Sequence, residues 1–215
     1  MDGINSKGLT VALLADDVSA DLAEPSPTAQ AGLAEVEIPR FLLDTCATVD
    51  DAKSALMSAK QYYSFIPCHY IIGDRSGKSF IWEYSGAHNR EYVTDGGGKP
   101  QIITNHPVHK YAKLEDMPKD DSPGSSYLRM RRLHEEISKA AGKASVDTMK
   151  NTNLCVAVPA TPRPGNSRPP GRTLWHALYD CTDNSMSVDF YLGDDPNAPR
   201  GQKRSGYLSF KLDAK

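Results

Sequence analysis

The sequence predicts an α+β protein with largely antiparallel sheets, and three observations point that way. Strand-like blocks arrive as hairpin pairs, at His69–Tyr84 and at Leu174–Leu192, and hairpins build antiparallel sheet. Helical blocks stand apart from them, at residues 48–59 and 125–141, instead of alternating with single strands as a parallel sheet requires. At 215 residues without internal repeats, the chain is long enough for one sizeable core and short for two, so residues 1–215 are expected to form a single domain. The layout is compatible with two sheets sandwiched between helices.

Asp2-Gly3-Ile4-Asn5-Ser6-Lys7-Gly8 is a turn sequence, because Asn and Gly tolerate positive φ. It leads into Leu9–Ala15, apolar on both faces and therefore expected at the centre of a sheet. A hairpin turn at residue 3 implies a strand before it, so the fold is expected to lack its first strands. Residues 16–34, rich in Asp, Pro and Ala, predict a loop, and Ile38–Thr45 a short helix. Thr48-Val49-Asp50-Asp51 is similar to a capping box with Asp in the Glu position. It opens a helix to about Ala59, with Ala52, Ala55, Leu56 and Ala59 as its apolar stripe.

His69–Asp74 and Ser79–Tyr84 form a hairpin around Arg75-Ser76-Gly77-Lys78, and Glu91–Thr94 suggests a further strand before the Gly96-Gly97-Gly98 turn. Ser125-Ser126 cap a helix to about Ala141, with Leu133, Ile137 and Ala140 facing inward and Gly142 as terminator. Cys155–Val158 predicts a short strand and residues 159–171 an exposed Pro-rich loop. Leu174–Asp180 with Met186–Leu192 gives a second hairpin, and Tyr207–Leu212 the last strand.

Composition narrows the functional classes. Hydrophobic residues make up 39% and charged residues 24%, as in a soluble globular chain. The net charge of −2, from 25 basic and 27 acidic residues, leaves no nucleic-acid footprint. No apolar run approaches a membrane span, and Met1-Asp2-Gly3 lacks the basic start and apolar segment of a signal peptide, so a cytoplasmic protein is expected. Cys46, Cys68, Cys155 and Cys181 form no CxxC pair, and the six histidines no HExxH spacing. No zinc, disulfide framework or cofactor is therefore expected, and inert buried thiols are the better account.

The most informative stretch is Gln101-Ile102-Ile103-Thr104-Asn105-His106-Pro107. Its apolar and β-branched residues predict a short buried strand, Asn105 stands where that strand stops, and Pro107 forbids its continuation. Such a placement aims a carboxamide donor out of the end of a sheet, where it could stabilise an oxyanion. An asparagine near a proline is also ordinary turn chemistry.

Taken in order, several segments resemble the N-terminal-cysteine nucleophile hydrolases: choloylglycine hydrolases, penicillin V acylases and acyl-coenzyme A:6-aminopenicillanate acyltransferases. They are Asp2–Leu9, Cys46-Ala47-Thr48-Val49-Asp50-Asp51-Ala52, the His69–Tyr84 hairpin, Thr104-Asn105-His106-Pro107, Ser126–Leu133 and Leu174-Trp175-His176-Ala177-Leu178-Tyr179-Asp180. The short distance from the Ala59 helix to the first hairpin, and the Leu-Trp-x-x-x-Tyr-Asp pattern, lean toward the acyltransferase branch. The resemblance implies an αββα sandwich and an acyl-cysteine route for hydrolysing or transferring the acyl group of a small-molecule amide or acyl-coenzyme A. In such enzymes an N-terminal cysteine attacks with its own α-amino group as base; an amine titrating near 7.7–8.0 can take a thiol proton at neutral pH.

The resemblance further implies that Asn105 donates to the tetrahedral oxyanion and that Arg129 stands near the nucleophile, with Arg131 and Arg132 crowding that alignment. The other oxyanion donor would fall near Ala15, which has no side-chain donor. His69, Asp74 and Glu83 also occupy family-like positions and are taken as structural, Asp74 in an Asx-type turn with Ser76-Gly77 and His69 within the sheet.

The family's nucleophile is expected upstream of the Asp2–Gly8 turn, and none of the four cysteines lies near a terminus. The chain alone is therefore expected to be inactive. Its expected partner is a segment carrying the missing strands, or a second copy paired along an open sheet edge. The alternative is a non-enzymatic binding or assembly subunit that completes its fold with a partner chain. An internal cysteine working with His69 or His176 has no spacing to support it.

Overall fold

A computed structural model describes residues 1–16, 32–62, 64, 66–85, 90–122, 124–140, 145–158 and 171–212. They divide into two compact units: Met1–Met117 with Tyr179–Ser185 and the chain from Leu212, and Pro118–Leu178 with Met186–Lys211.

In the first unit, β1 (Asp2–Ile4) and β2 (Thr10–Ala15) are antiparallel, with Gly3 opposite Val11. The reversal therefore occupies residues 5–8, and the strand expected before the turn is Asp2–Ile4 itself. Asn5 makes the turn. Its Oδ1 accepts from the N–H of Lys7 and of Leu9, both at 3.0 Å, while its Nδ2 donates to the carbonyls of Leu43 and Cys46. Gly8 has φ +83°, and a Cβ there would lie 2.4 Å from the Cys181 carbonyl oxygen, so only glycine is accommodated.

The predicted 16–34 loop ends in β3 (Leu33–Ala34), which pairs in parallel with β4 (Gln61–Tyr62); residues 17–31 lie outside the described residues. Between them run α1 (Ile38–Thr45) and α2 (Val49–Ser58). The capping box of α2 is formed as the sequence predicts: Thr48 Oγ1 accepts from the Asp51 N–H, and Asp51 Oδ2 accepts from the Thr48 N–H.

β5 (Cys68–Gly73), β6 (Ser79–Ser85) and β7 (Arg90–Asp95) complete an antiparallel sheet of order β1-β2-β5-β6-β7. Val11, Tyr70, Ile72, Phe80 and Trp82 pack with Ile38 and Leu42 of α1 and Val49, Ala52 and Leu56 of α2. Burying each large side chain of this set contributes roughly 1.5–3 kcal/mol. The register pairs Tyr70 with Trp82 and Ile72 with Phe80. A one-residue slip would turn these side chains to the opposite face, where His69 and Glu83 stand.

Gln101–Thr104 is not a strand. β6 already pairs with β5 and β7, and the Thr104 carbonyl is taken by a side chain instead of a ladder.

The second unit contains α3 (Ser126–Ala140), α4 (Val146–Cys155) and β8 (Trp175–Asp180), β9 (Ser185–Asp194), β10 (Gln202–Arg204) and β11 (Leu208–Lys211), whose β8–β9 tip belongs to the first unit. Ser125 Oγ accepts from the Leu128 N–H at 3.4 Å. Met130 and Leu133 are the buried apolar residues of α3, with Ile137 and Ala140 only partly covered. The expected terminator Gly142 is outside the described residues, as are residues 159–170 of the Pro-rich stretch.

Cys155–Val158 is not a strand either. Ser145 caps α4 by accepting from the Thr148 N–H, and the helix runs through Cys155 to a cap at Val156. The sheet order is β10-β9-β11 with β8 on β9, so the second predicted hairpin and the last strand are present, and β10 is an addition. The chain is thus α+β, and both of its larger sheets are antiparallel where their pairings are described.

Candidate functional site

Hairpin geometry sets His69 of β5 opposite Glu83 of β6, and both are buried. His69 Nδ1 lies 3.1 Å from Glu83 Oε1, and its Nε2 lies 2.6 Å from the Thr104 carbonyl. Glu83 accepts three further bonds: from the Val108 N–H at 2.7 Å, the His109 N–H at 2.8 Å, and His109 Nδ1 at 2.9 Å. Burial alone would raise its pKa. The bonds from His69, Val108 and His109 outweigh burial and hold this carboxyl below the usual carboxylate range. His109 stacks on Tyr92, with ring centroids 3.7 Å apart and planes 5° from parallel.

Asn105 sits inside this arrangement. Thr104 is bound to His69 on one side of it, and Val108 and His109 are bound to Glu83 on the other. Pro107 leads into the 3-10 turn Val108–Lys110. Partly buried, Asn105 donates from Nδ2 to the Ala15 carbonyl at 2.8 Å, at the end of β2. The two positions at which the resemblance implies oxyanion donors, Asn105 and Ala15, are therefore hydrogen-bonded neighbours. His106 is fully buried, with Nδ1 3.1 Å from Thr104 Oγ1 and its ring edge-on to Tyr111.

Arg129 lies in the second unit. Its Nε donates to the Gly124 carbonyl at 3.1 Å, and it lines a cleft of about 180 Å³ with Asp121, Leu128, Arg132 and Cys155. Arg131 instead donates to the Pro118 carbonyl. Asp74 makes the predicted turn, accepting at Oδ1 from the Ser76 N–H and hydroxyl, and its Oδ2 also takes the Val49 N–H at the start of α2.

The cysteines occupy structural places. Cys46 and Cys68 are buried, the Cys155 thiol donates to the Thr152 carbonyl at 2.9 Å, and Cys181 Sγ is 3.6 Å from Thr10 Oγ1. Burial pushes the Cys155 and Cys181 thiols up, away from the reactive thiolate. Among the described residues, no three His, Cys, Asp or Glu side chains are grouped to hold a metal ion, and no helix is long and apolar enough to cross a membrane.

The Glu83 contacts to Val108 and His109 are absent from the sequence-based expectations. One signal for the pair at its root was available: a hairpin closing Gly73 against Ser79 must set His69 against Glu83.

The antiparallel, helix-covered sheet is of the N-terminal-nucleophile hydrolase type. More particularly, the chain belongs to the acyl-coenzyme A:6-aminopenicillanic acid acyl-transferase family, whose model matches residues 1–196. No curated protein matches the sequence. The fold is similar to that of penicillin V acylase from Agrobacterium tumefaciens, with a TM-score of 0.63 and 20% identity over 90% of this chain. A mutant and a further variant of conjugated bile acid hydrolase from Clostridium perfringens align over 99% of the chain at 16% identity, with TM-scores of 0.64 and 0.63. The chain spans 63% of the penicillin V acylase chain and 77% of each hydrolase chain.

Proposed function

We propose that this chain serves the cleavage or transfer of a linear amide's acyl group through an acyl-cysteine intermediate, with Asn105 as the oxyanion donor. The carrying observation is the bond from Asn105 Nδ2 to the Ala15 carbonyl, which fixes a partly buried carboxamide at a strand end. A carboxamide has two N–H donors. An amide donor held at that strand end suits the negative charge that develops as a thiolate adds to the substrate carbonyl. The C–S bond forms, the C–N bond breaks as the amine leaves with a proton, and water or an acceptor amine then displaces the sulfur. Arg129, beside Arg132 in its cleft, suits the polar or anionic part of a substrate.

None of the four cysteines suits the nucleophile's role: Cys46 and Cys68 are buried, and burial pushes the Cys155 and Cys181 thiols up. We therefore place the nucleophile on another segment and expect these 215 residues alone to be inactive. Incubation with penicillin V, or with an acyl-coenzyme A and 6-aminopenicillanic acid, tests this: amine release or acyl transfer by the isolated chain overturns the inactivity. Once a cysteine-led polypeptide restores turnover, Asn105→Ala is expected to lower kcat about 10²–10³-fold. An unchanged kcat removes Asn105 from the chemistry.

A binding or assembly subunit is the second reading. It is favoured by Trp175, Phe190, Leu192, Leu208 and Phe210, on the strands of the second unit and each 40–56% exposed. A monodisperse monomer in sedimentation, with no co-purifying chain, counts against it.

A further inference from the structure

We infer that Glu83, acting with His69, is the residue that positions Asn105: its carboxylate anchors the Thr104–His109 loop onto β5 and β6. The inference rests on the oxyanion-donor reading of Asn105. No ladder reaches residues 101–109 among those described, so sheet pairing does not fix where the amide points. Side chains do. The anchor before Asn105 is the Thr104 carbonyl on His69 Nε2, and the anchors after it are the Val108 and His109 N–H groups on Glu83. The two halves are joined through the His69–Glu83 bond itself.

Four donors converge on two carboxylate oxygens, Oε1 taking His69 and Val108 and Oε2 taking both groups of His109. A glutamine cannot replace this. It accepts at one oxygen only and turns an NH2 toward donors. The charge and the second acceptor are therefore what the site requires, beyond volume. Displacement of a catalytic group by about 1 Å can cost 10²-fold in rate, so the anchor bears on turnover without touching substrate.

The test is the side-chain amide signal of Asn105 in the nitrogen–proton NMR spectrum of the chain, assigned by its loss in Asn105→Asp. Glu83→Gln and His69→Gln are each expected to shift that signal and to speed its proton exchange at least about tenfold. Asp74→Asn alters a buried carboxylate at the other end of the same hairpin and is expected to leave the signal in place. The inference is overturned if Glu83→Gln leaves the Asn105 signal unmoved, or if Asp74→Asn moves it as much.

Should Glu83→Gln fail to fold, exchange in the unaltered chain decides. The Val108 and His109 N–H groups and the Asn105 amide are expected to share one opening rate within a factor of about three. An Asn105 amide exchanging more than tenfold faster refutes the anchor. These signals report position alone, whereas turnover by Asn105→Ala reports the oxyanion role, so the two ideas fail separately.

Discussion

Replacing Asp74 with alanine removes the side chain that fastens the β5–β6 turn to the start of α2. Three bonds are lost, and they are unequal. The Val49 N–H is left buried without its acceptor, in a residue only 1% exposed, at about 1–3 kcal/mol. Removing a carboxylate from a helix N-terminus adds about 0.3–1 kcal/mol. The two bonds from Ser76 lie on an exposed turn where water takes over, so their loss adds only a few tenths. The expected destabilisation is about 2–4 kcal/mol.

Urea unfolding at pH 7, followed by Trp82 fluorescence, measures it. Trp82 is 1% exposed inside this unit, and a Trp175→Phe background removes the second indole, which is 45% exposed. With equal m-values, a difference below about 1 kcal/mol would refute the fastening role. The pH dependence has a defined sign. Burial works to raise the pKa of Asp74, but the bonds from Ser76 and Val49 prevail and hold it below the usual value. A group depressed in the folded state adds stability above its unfolded pKa of about 3.9 and loses it as pH falls through the lower folded one. The gap between the two proteins is therefore expected to stay level from pH 8 to 5 and to close below about pH 4.

Leu42→Ala, at a fully buried site between α1 and the sheet, is expected to cost about 2–5 kcal/mol in the same unfolding assay, with Leu42→Met largely restoring it. Thr48→Ala removes half of the α2 capping box and should cost about 1 kcal/mol, while Thr48→Ser retains most of it. Gly8→Ala meets both the +83° φ and the Cys181 carbonyl and should cost more than about 2 kcal/mol; a neutral outcome would show that the turn relaxes freely. In a thiol titration of the native chain, Cys46 and Cys68 are expected to stay unlabelled until unfolding, with Cys155 and Cys181 slow. Fast labelling of any of them at pH 7 would contradict the inert account.

Elements with strong local signals were legible in the sequence. The α2 box, the β5–β6 hairpin, α3 and the β8–β9 hairpin all rest on residues within a few positions of one another. α4 escaped because Val146–Cys155 has few apolar residues and no clear stripe, leaving its β-branched tail to suggest a strand. Gln101–Thr104 has strand-like residues, but Thr104 meets a histidine instead of a neighbouring strand. Local propensity could not foresee that, since the partner lies 35 residues away. Asn105 was legible as a motif, whereas its support was not. Four donors on Glu83 become visible only once two hairpin strands and a loop are brought together.

The first unit closes with residues that leave the ribosome late. Tyr179–Ser185 belong to it, and Asn184 donates to the Ser6 carbonyl while accepting from Arg75. During synthesis, residues 1–117 wait for this clasp while the next 68 residues, the interval from Met117 to Ser185, are made. At 5–20 residues per second that pause lasts roughly 3–14 s. A nascent chain stalled before residue 179 should hold its opening hairpin loosely and offer it to chaperones or proteases.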